Sequence, residues 1–410
     1  MLKEPNEITK SEQDIFITKV SRVYTALPIT KKDLFAGRRK QLAEALEAIF
    51  NPGQHVIIFG EPGVGKTSLA SVVDDFAKLE PAQQDILVTK VDCSSADTFD
   101  SVWRKIFDGI TVLPEGEEDE TKRVTITKKI GKTEITPYVV QRELSSISTT
   151  TLVVLIFDEF NIIQDPTVRL LFAETIKTLS NNAMSSTLFL VGVADNVDQL
   201  LERHQLAGRN LIEIHMPRMS PDEAKQILID NGLEKIGMGI EDQAVERIIR
   251  MAQGLPNYVH ALGKHSAILA IDEFQRNVRL KHVDAAVDRC LEQASHSVKS
   301  SYTEATSSGR KNLFKEVLLA CALSKKDDLA SFAAVDVREP FKKIMKDTKD
   351  KYDIPNYLPT LNKLSEPSRG ILMKTGKSRN YRYKFKDALL QPYVVMRGIQ
   401  AGLITHLDLA

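Results

Sequence analysis

The chain has 410 residues, 42% apolar and 27% charged, and its Lys plus Arg equal its Asp plus Glu, so the formal net charge is zero. The balance excludes a general affinity of the whole molecule for nucleic acid or membrane, and the length exceeds one ordinary domain of roughly 100 to 200 residues; three domains are expected. Cys93, Cys290 and Cys321 lie too far apart for a zinc ribbon or a disulfide framework, and the longest apolar run, Leu152 to Phe157, is too short for a span, so a cytoplasmic protein with no membrane partner is expected.

Residues 1–27 are charged and read as an N-terminal arm. From Arg39 to Phe50 the apolar positions Leu42, Ala45, Leu46 and Ile49 recur at helical spacing, and Asn51-Pro52-Gly53 stops the helix. Strands over 56–59, 86–91, 152–157 and 187–193 then alternate with helices over 66–78, 98–107 and 167–179. Each strand is a continuous apolar run, as a sheet covered on both faces requires. The pattern predicts an α/β fold over 28–218, with a parallel sheet and helices on both faces. Residues 113–137 interrupt it with an acidic stretch and an alternating segment around Lys129-Ile130-Gly131-Lys132, expected to be an inserted hairpin or a mobile arm. After Met219-Ser220-Pro221 the periodicity is purely helical, predicting a helical lid domain over 219–299, a Ser/Thr-rich linker over 300–309 and a third domain over 310–410.

Gly60-Glu61-Pro62-Gly63-Val64-Gly65-Lys66-Thr67, with Ser68 next, fits the phosphate-loop pattern and lies between a predicted strand and a predicted helix. The glycines let backbone N–H groups turn toward phosphates, and the following helix adds the positive end of its dipole. Lys66 is expected to neutralise the β- and γ-phosphates of ATP, and Thr67 to ligate Mg²⁺. The apolar strand ending at Phe157 delivers Asp158 to the Mg²⁺ shell and Glu159 to the attacking water as general base, so ATP hydrolysis is expected.

With these motifs and the helical domain that follows, the chain resembles AAA+ ATPases (the P-loop NTPase fold), and among them the origin-recognition and cell-division-control initiators. The resemblance covers about residues 28 to 410. It implies that Pro28, Ile29 and Phe35 embrace adenine, and that either Asp195 or Asn196 serves as the first sensor of the γ-phosphate. It also implies that Arg209, or failing it Arg203, completes a neighbouring subunit's site as an arginine finger, so that subunits associate through shared ATP sites. In Gly254-Leu255-Pro256-Asn257 the family's second-sensor Arg is missing and Asn257 stands in its place. That pattern is similar instead to signalling NTPases and transposition ATPases, where the Pro packs on adenine; slow hydrolysis is the expectation.

The last segment, from Arg310, holds roughly 20 Lys and Arg against 11 Asp and Glu, leaving about +9 there and about −9 on everything before it. Its helical patterns, with Leu358, Leu361 and Leu364 turned to the core of the third helix, precede a hairpin with a basic tip at 375–380. The order resembles a winged helix. In that reading Thr360, Asn362 and Lys363 face a major groove of duplex DNA while Lys374, Lys377, Arg379 and Arg382 meet phosphates. Winged helices also bind proteins, so a protein partner here or at the inserted hairpin is the competing expectation. Three uses stay open: nucleotide-controlled DNA binding, a slow switch or scaffold, and a transposition-type regulator forming filaments on DNA.

Overall fold

Continuous apolar strands build the first unit of the computed structural model, which describes residues 7–25, 35–77, 85–113, 119–149, 151–201, 210–308, 312–346, 351–377 and 380–405. Pro28, Ile29, Arg203, Arg209 and Arg379 lie outside the described residues. The chain divides into two compact units, one of residues 28–61 and 65–216, the other of residues 1–27, 62–64 and 217–410.

In the first unit the strands β1 (His55–Gly60), β2 (Asp85–Asp92), β3 (Thr151–Asp158), β4 (Ser186–Val193) and β5 (Leu211–His215) form one sheet in the order β2-β3-β4-β1-β5. All four pairings are parallel. Every residue of β1 is buried, as are all but the first of β3, because neither face of a covered parallel sheet meets water. Beneath the end of β3, Phe157 and Phe160 meet Phe172 at ring-centroid distances of 5.0 and 4.9 Å, and Trp103 packs 5.2 Å from Phe157. Burying each such ring contributes about 1.5–3 kcal/mol, which fixes the strand end where the acidic pair begins.

Two local outcomes differ from the sequence reading. β5 escaped notice because its short run Leu211–His215 carries Glu213 and His215; its pairing with β1 makes it a strand. In the insertion, Thr111–Val112 pairs with Val124–Thr125, and Ile126–Ile130 is a helix rather than half of a hairpin. Ile126 and Ile130 are four apart and both buried, so the helical period prevails over the apparent alternation. Thr125 caps the turn by accepting a hydrogen bond from the Lys128 N–H.

In the second unit, helices Pro221–Leu228, Asp242–Ala252, Pro256–Asp272 and Leu280–Gln293 form the lid. Ser220 caps the first and Pro221 occupies its first position. The segment expected to be an arm is a helix, Lys10–Val23, whose Phe16 and Val20 are buried. Tyr24 ends it and donates its hydroxyl to the Leu228 carbonyl at 2.5 Å. The apolar positions 16, 20 and 24 share one helical face, a period that the surrounding charges obscure. The expected linker is also helical: His296–Thr306 buries Val298 and Ala305, and Thr303 and Thr306 return their hydroxyls to carbonyls four residues back.

The last segment runs helix Phe314–Leu323, strand β6 (Phe332–Ala333), helix Arg338–Ile344, helix Ile354–Leu364, then β7 (Leu372–Thr375) and β8 (Arg382–Phe385). These strands form an antiparallel sheet in the order β6-β8-β7, the arrangement of a winged helix. Tyr357, Leu361 and Leu364 fill the third helix's inner face, so Tyr357 takes the core place expected of Leu358, which is only half-buried. Among the described residues no helix is long and apolar enough to cross a membrane.

Candidate nucleotide site

The phosphate loop begins where β1 ends. Gly60 must be glycine, because a Cβ there would lie 2.5 Å from the Met216 carbonyl oxygen. Gly60, Gly63 and Gly65 all have positive φ, the condition for a loop whose amides curl inward. A Cβ on Gly65 would meet nothing within 4 Å, which marks the open side of that cradle. Lys66 is 7% exposed, and its ammonium donates to the carbonyls of Gly60 at 3.1 Å and Glu61 at 2.7 Å. Thr67 and Ser68 follow in the first helical turn, both half-buried.

β3 brings the acidic pair to the same edge. The Thr67 hydroxyl donates to Asp158 Oδ1 at 3.3 Å, although the two residues are 91 positions apart in sequence. Asp158 is 3% exposed and also accepts the Glu159 N–H at 2.9 Å. Glu159 sits in the left-handed region at φ 54°, with its side chain exposed. A non-glycine residue held there stores strain of order 1 kcal/mol.

A hydroxyl and a buried carboxylate at this separation are the hard oxygen donors that Mg²⁺ requires, and an amide-lined loop with an adjacent Lys matches a polyphosphate. The residues therefore fit Mg-ATP: Lys66 would hold the phosphates, Thr67 and Asp158 the metal. When bound, Mg²⁺ supplies charge neutralisation at the phosphates. Glu159, outside that cluster, is the residue that would take a proton from water.

The first-sensor candidates leave β4 together. The Asp195 N–H donates to the Gln199 side-chain oxygen at 2.8 Å, and Asn196 caps the turn Val197–Gln199 by accepting from the Gln199 N–H at 3.2 Å. Phe35 packs 6.5 Å, centroid to centroid, from Phe76 on the helix that follows the loop.

Sequence reasoning missed two residues here. Asn161 accepts the Val193 N–H at 2.8 Å, tying the turn after Glu159 to the end of β4, and Gly192 leaves room for it because a Cβ would lie 3.0 Å from that amide oxygen. Lys90 on β2 pairs with Asp158 Oδ2 at 2.8 Å. Its only sequence signal is a basic residue two positions before Asp92 in a strand. Beside it, burial, with Asp97 adding, pushes the Cys93 thiol up to about 12 and leaves it protonated.

In the second unit, Pro256 and Asn257 open the helix Pro256–Asp272. Gln253 and Gly254 before them are both left-handed, and Gly254 is obligatory because a Cβ would stand 2.9 Å from Arg218 Cβ and the Met219 carbonyl. Arg218 donates to the Gln253 carbonyl at 3.2 Å and to Gln391 Oε1 at 2.7 Å, while the Gln391 amide reaches Gln253 Oε1 and the Ala322 carbonyl, both at 2.8 Å. This network joins lid and winged helix inside one unit.

The DNA-facing candidates divide by their partners. Arg382 pairs with Asp327 and with Ser331, and Asn362 accepts from Lys374 at 2.9 Å and from the Tyr383 hydroxyl at 3.1 Å. Lys374 also lies 3.9 Å from the Tyr381 ring centroid. Lys363 and Lys377 are exposed, and Thr360 is half-buried.

A family model described as nSTAND1, Novel STAND NTPase 1, matches residues 25–318. No curated protein matches the chain. Among solved structures the chain is similar to the Walker-type ATPase PABY2304 of Pyrococcus abyssi, at 16% identity over 92% of this chain and 99% of that chain, with a TM-score of 0.52. It is also similar to the ORC1 protein of Aeropyrum pernix in complex with DNA, at 16% identity over 98% and 100% of the two chains and a TM-score of 0.47. The RuvB Holliday junction branch migration motor of Thermotoga maritima aligns at 17% identity over 87% and 95%, with a TM-score of 0.41. At these identities the likeness is one of fold. The match across the phosphate loop, the acidic strand end and the lid leads to one conclusion: the chain belongs to the Novel STAND NTPase 1 family and has a P-loop NTPase fold.

Proposed function

We propose that the chain binds Mg-ATP, hydrolyses it slowly and uses the nucleotide state to control assembly and its grip on duplex DNA through the winged helix. The observation that carries the nucleotide part is the meeting of Thr67, in the first turn of the helix that Lys66 opens after β1, with Asp158 at the end of β3, 3.3 Å apart although β1 and β3 are not neighbours in the sheet. Asn257 in place of a second-sensor Arg supports slow turnover, since one transition-state cation is then lacking. The net positive tail and the exposed Lys363 and Lys377 support the DNA part. Association through shared sites rests on Arg209 as the finger.

A second reading, a nucleotide switch whose winged helix holds a protein, is favoured by a specific observation. Asn362, Lys374 and Arg382 are all engaged within their own domain. One experiment separates the two: DNA binding at several salt concentrations with ATP, with ADP and without nucleotide, alongside ATP turnover with and without duplex. ATP-dependent binding that weakens steeply with salt, and that loses about one unit of salt slope for each of Lys363→Ala and Lys377→Ala, supports DNA. Turnover without DNA binding in any nucleotide state makes the winged helix a protein-binding module.

A further inference from the structure

We propose that Lys90 is a built-in counter-ion that competes with Mg²⁺ for Asp158 and has a second seat on Asp92, so that this lysine sets how much Mg²⁺ the nucleotide site demands. The inference rests on the Mg-ATP reading of that site. Asp158 is a buried carboxylate, with a side chain 4% exposed, and a buried charge needs a partner. Lys90 supplies one at 2.8 Å on Oδ2, while Thr67 and the Glu159 N–H take Oδ1. Both carboxylate oxygens are thus committed, and a cation arriving with the nucleotide must share or displace the ammonium.

The strands offer the ammonium somewhere to go. Asp92 stands directly opposite Asp158 in the β2–β3 register, and Lys90, two residues before Asp92, projects from the same face of β2. Lys90 Nζ already lies 3.9 Å from Asp92 Oδ1. The Asp92 side chain is 73% exposed and that of Lys90 30%, so a rotation of the lysine's outer bonds carries the charge from a buried partner to a solvated one without moving backbone. Repulsion between Mg²⁺ and an ammonium on the same carboxylate drives that rotation. Lys90 touches neither water nor nucleotide in this scheme and is a positioning residue.

The test is equilibrium binding of a fluorescent ATP analogue to the full chain across a Mg²⁺ titration, with thermal melting in EDTA as a second readout. Lys90→Met should lower the Mg²⁺ midpoint about 10-fold, the scale on which removing one nearby like charge acts. It should also lower the melting temperature in EDTA, where Asp158 is left unpaired. Lys90→Gln, which keeps a hydrogen bond without the charge, should shift the midpoint the same way if Lys90→Met folds poorly. Lys90→Arg should stay near the parent. Asp92→Asn should raise the midpoint several-fold in the parent and leave it unchanged in a Lys90→Met background, because its effect runs through the lysine. A midpoint unmoved by the uncharged Lys90 variants, or unmoved or lowered by Asp92→Asn, overturns the proposal while nucleotide binding by the parent stands. A parent chain that binds no nucleotide at any Mg²⁺ concentration overturns the site reading and the proposal with it.

Discussion

At the residue scale, the proposed function gives the adjacent positions Asp158 and Glu159 separable tasks. Lys66 is buried at the end of the phosphate loop, whereas Glu159 is exposed next to the buried Asp158. Lys66→Ala should therefore abolish nucleotide binding, and Glu159→Gln should retain binding while ATP persists unhydrolysed; binding lost equally in both would remove the general-base role. The left-handed backbone of Glu159 gives a further expectation, because glycine tolerates φ 54° at no steric cost. Glu159→Gly should unfold in urea within about 1 kcal/mol of the parent although hydrolysis is lost, relief of strain offsetting the entropy of a freer unfolded chain. A loss well above that figure would mean that the side chain holds the strand end together.

At the element scale, the N-terminal helix is part of the lid. Tyr24 is 1% exposed, donates to the Leu228 carbonyl, and leaves no room for a Cβ at Gly232 or Gly263. Burial raises its phenol above the ordinary value, so the hydroxyl stays protonated and remains a donor. Tyr24→Phe should cost about 1–2 kcal/mol in chemical denaturation by leaving the carbonyl without that partner. Unchanged stability would show the helix to be an appendage. The insertion teaches the complementary lesson, since a five-residue helix capped by Thr125 exists because Ile126 and Ile130 have a core to enter.

At the scale of the whole molecule, pH-dependent stability follows from buried titratable groups, and the proposed assembly turns on Arg209. Burial lowers the imidazole of His55 from 6.5 to about 3 and that of His260 to about 4. Both bind a proton more weakly folded than unfolded, so their contribution to stability is complete above about pH 6.5 and is lost as pH falls toward the folded values. Unfolding free energy should be flat from pH 8 to 7, then decline below pH 6.5 by about 1.4 kcal/mol per pH unit for each histidine. A urea midpoint constant down to pH 5 would contradict their burial as neutral rings. For assembly, Arg209→Ala should cut turnover in concentrated protein without weakening ATP binding to isolated subunits, and full turnover in that variant would remove the finger.

The phosphate loop, the acidic pair and the alternating α/β order were legible in sequence because each depends on local chemistry. Glycines free the turn from Gly60 to Gly65, an apolar run makes β3, and the next two residues must emerge at its end. The winged-helix order was legible for the same reason, through helical periods followed by a hairpin pattern. Contacts across strands were not. That β4 lies between β1 and β3, that Lys90 meets Asp158, and that Asn161 clasps Val193 are set by which edges pair, a decision taken by burial summed over the whole sheet. Charged surroundings likewise hid the helix Lys10–Val23, and Ser and Thr content disguised His296–Thr306, because in both the deciding term is an apolar face that gains energy only once a partner surface exists.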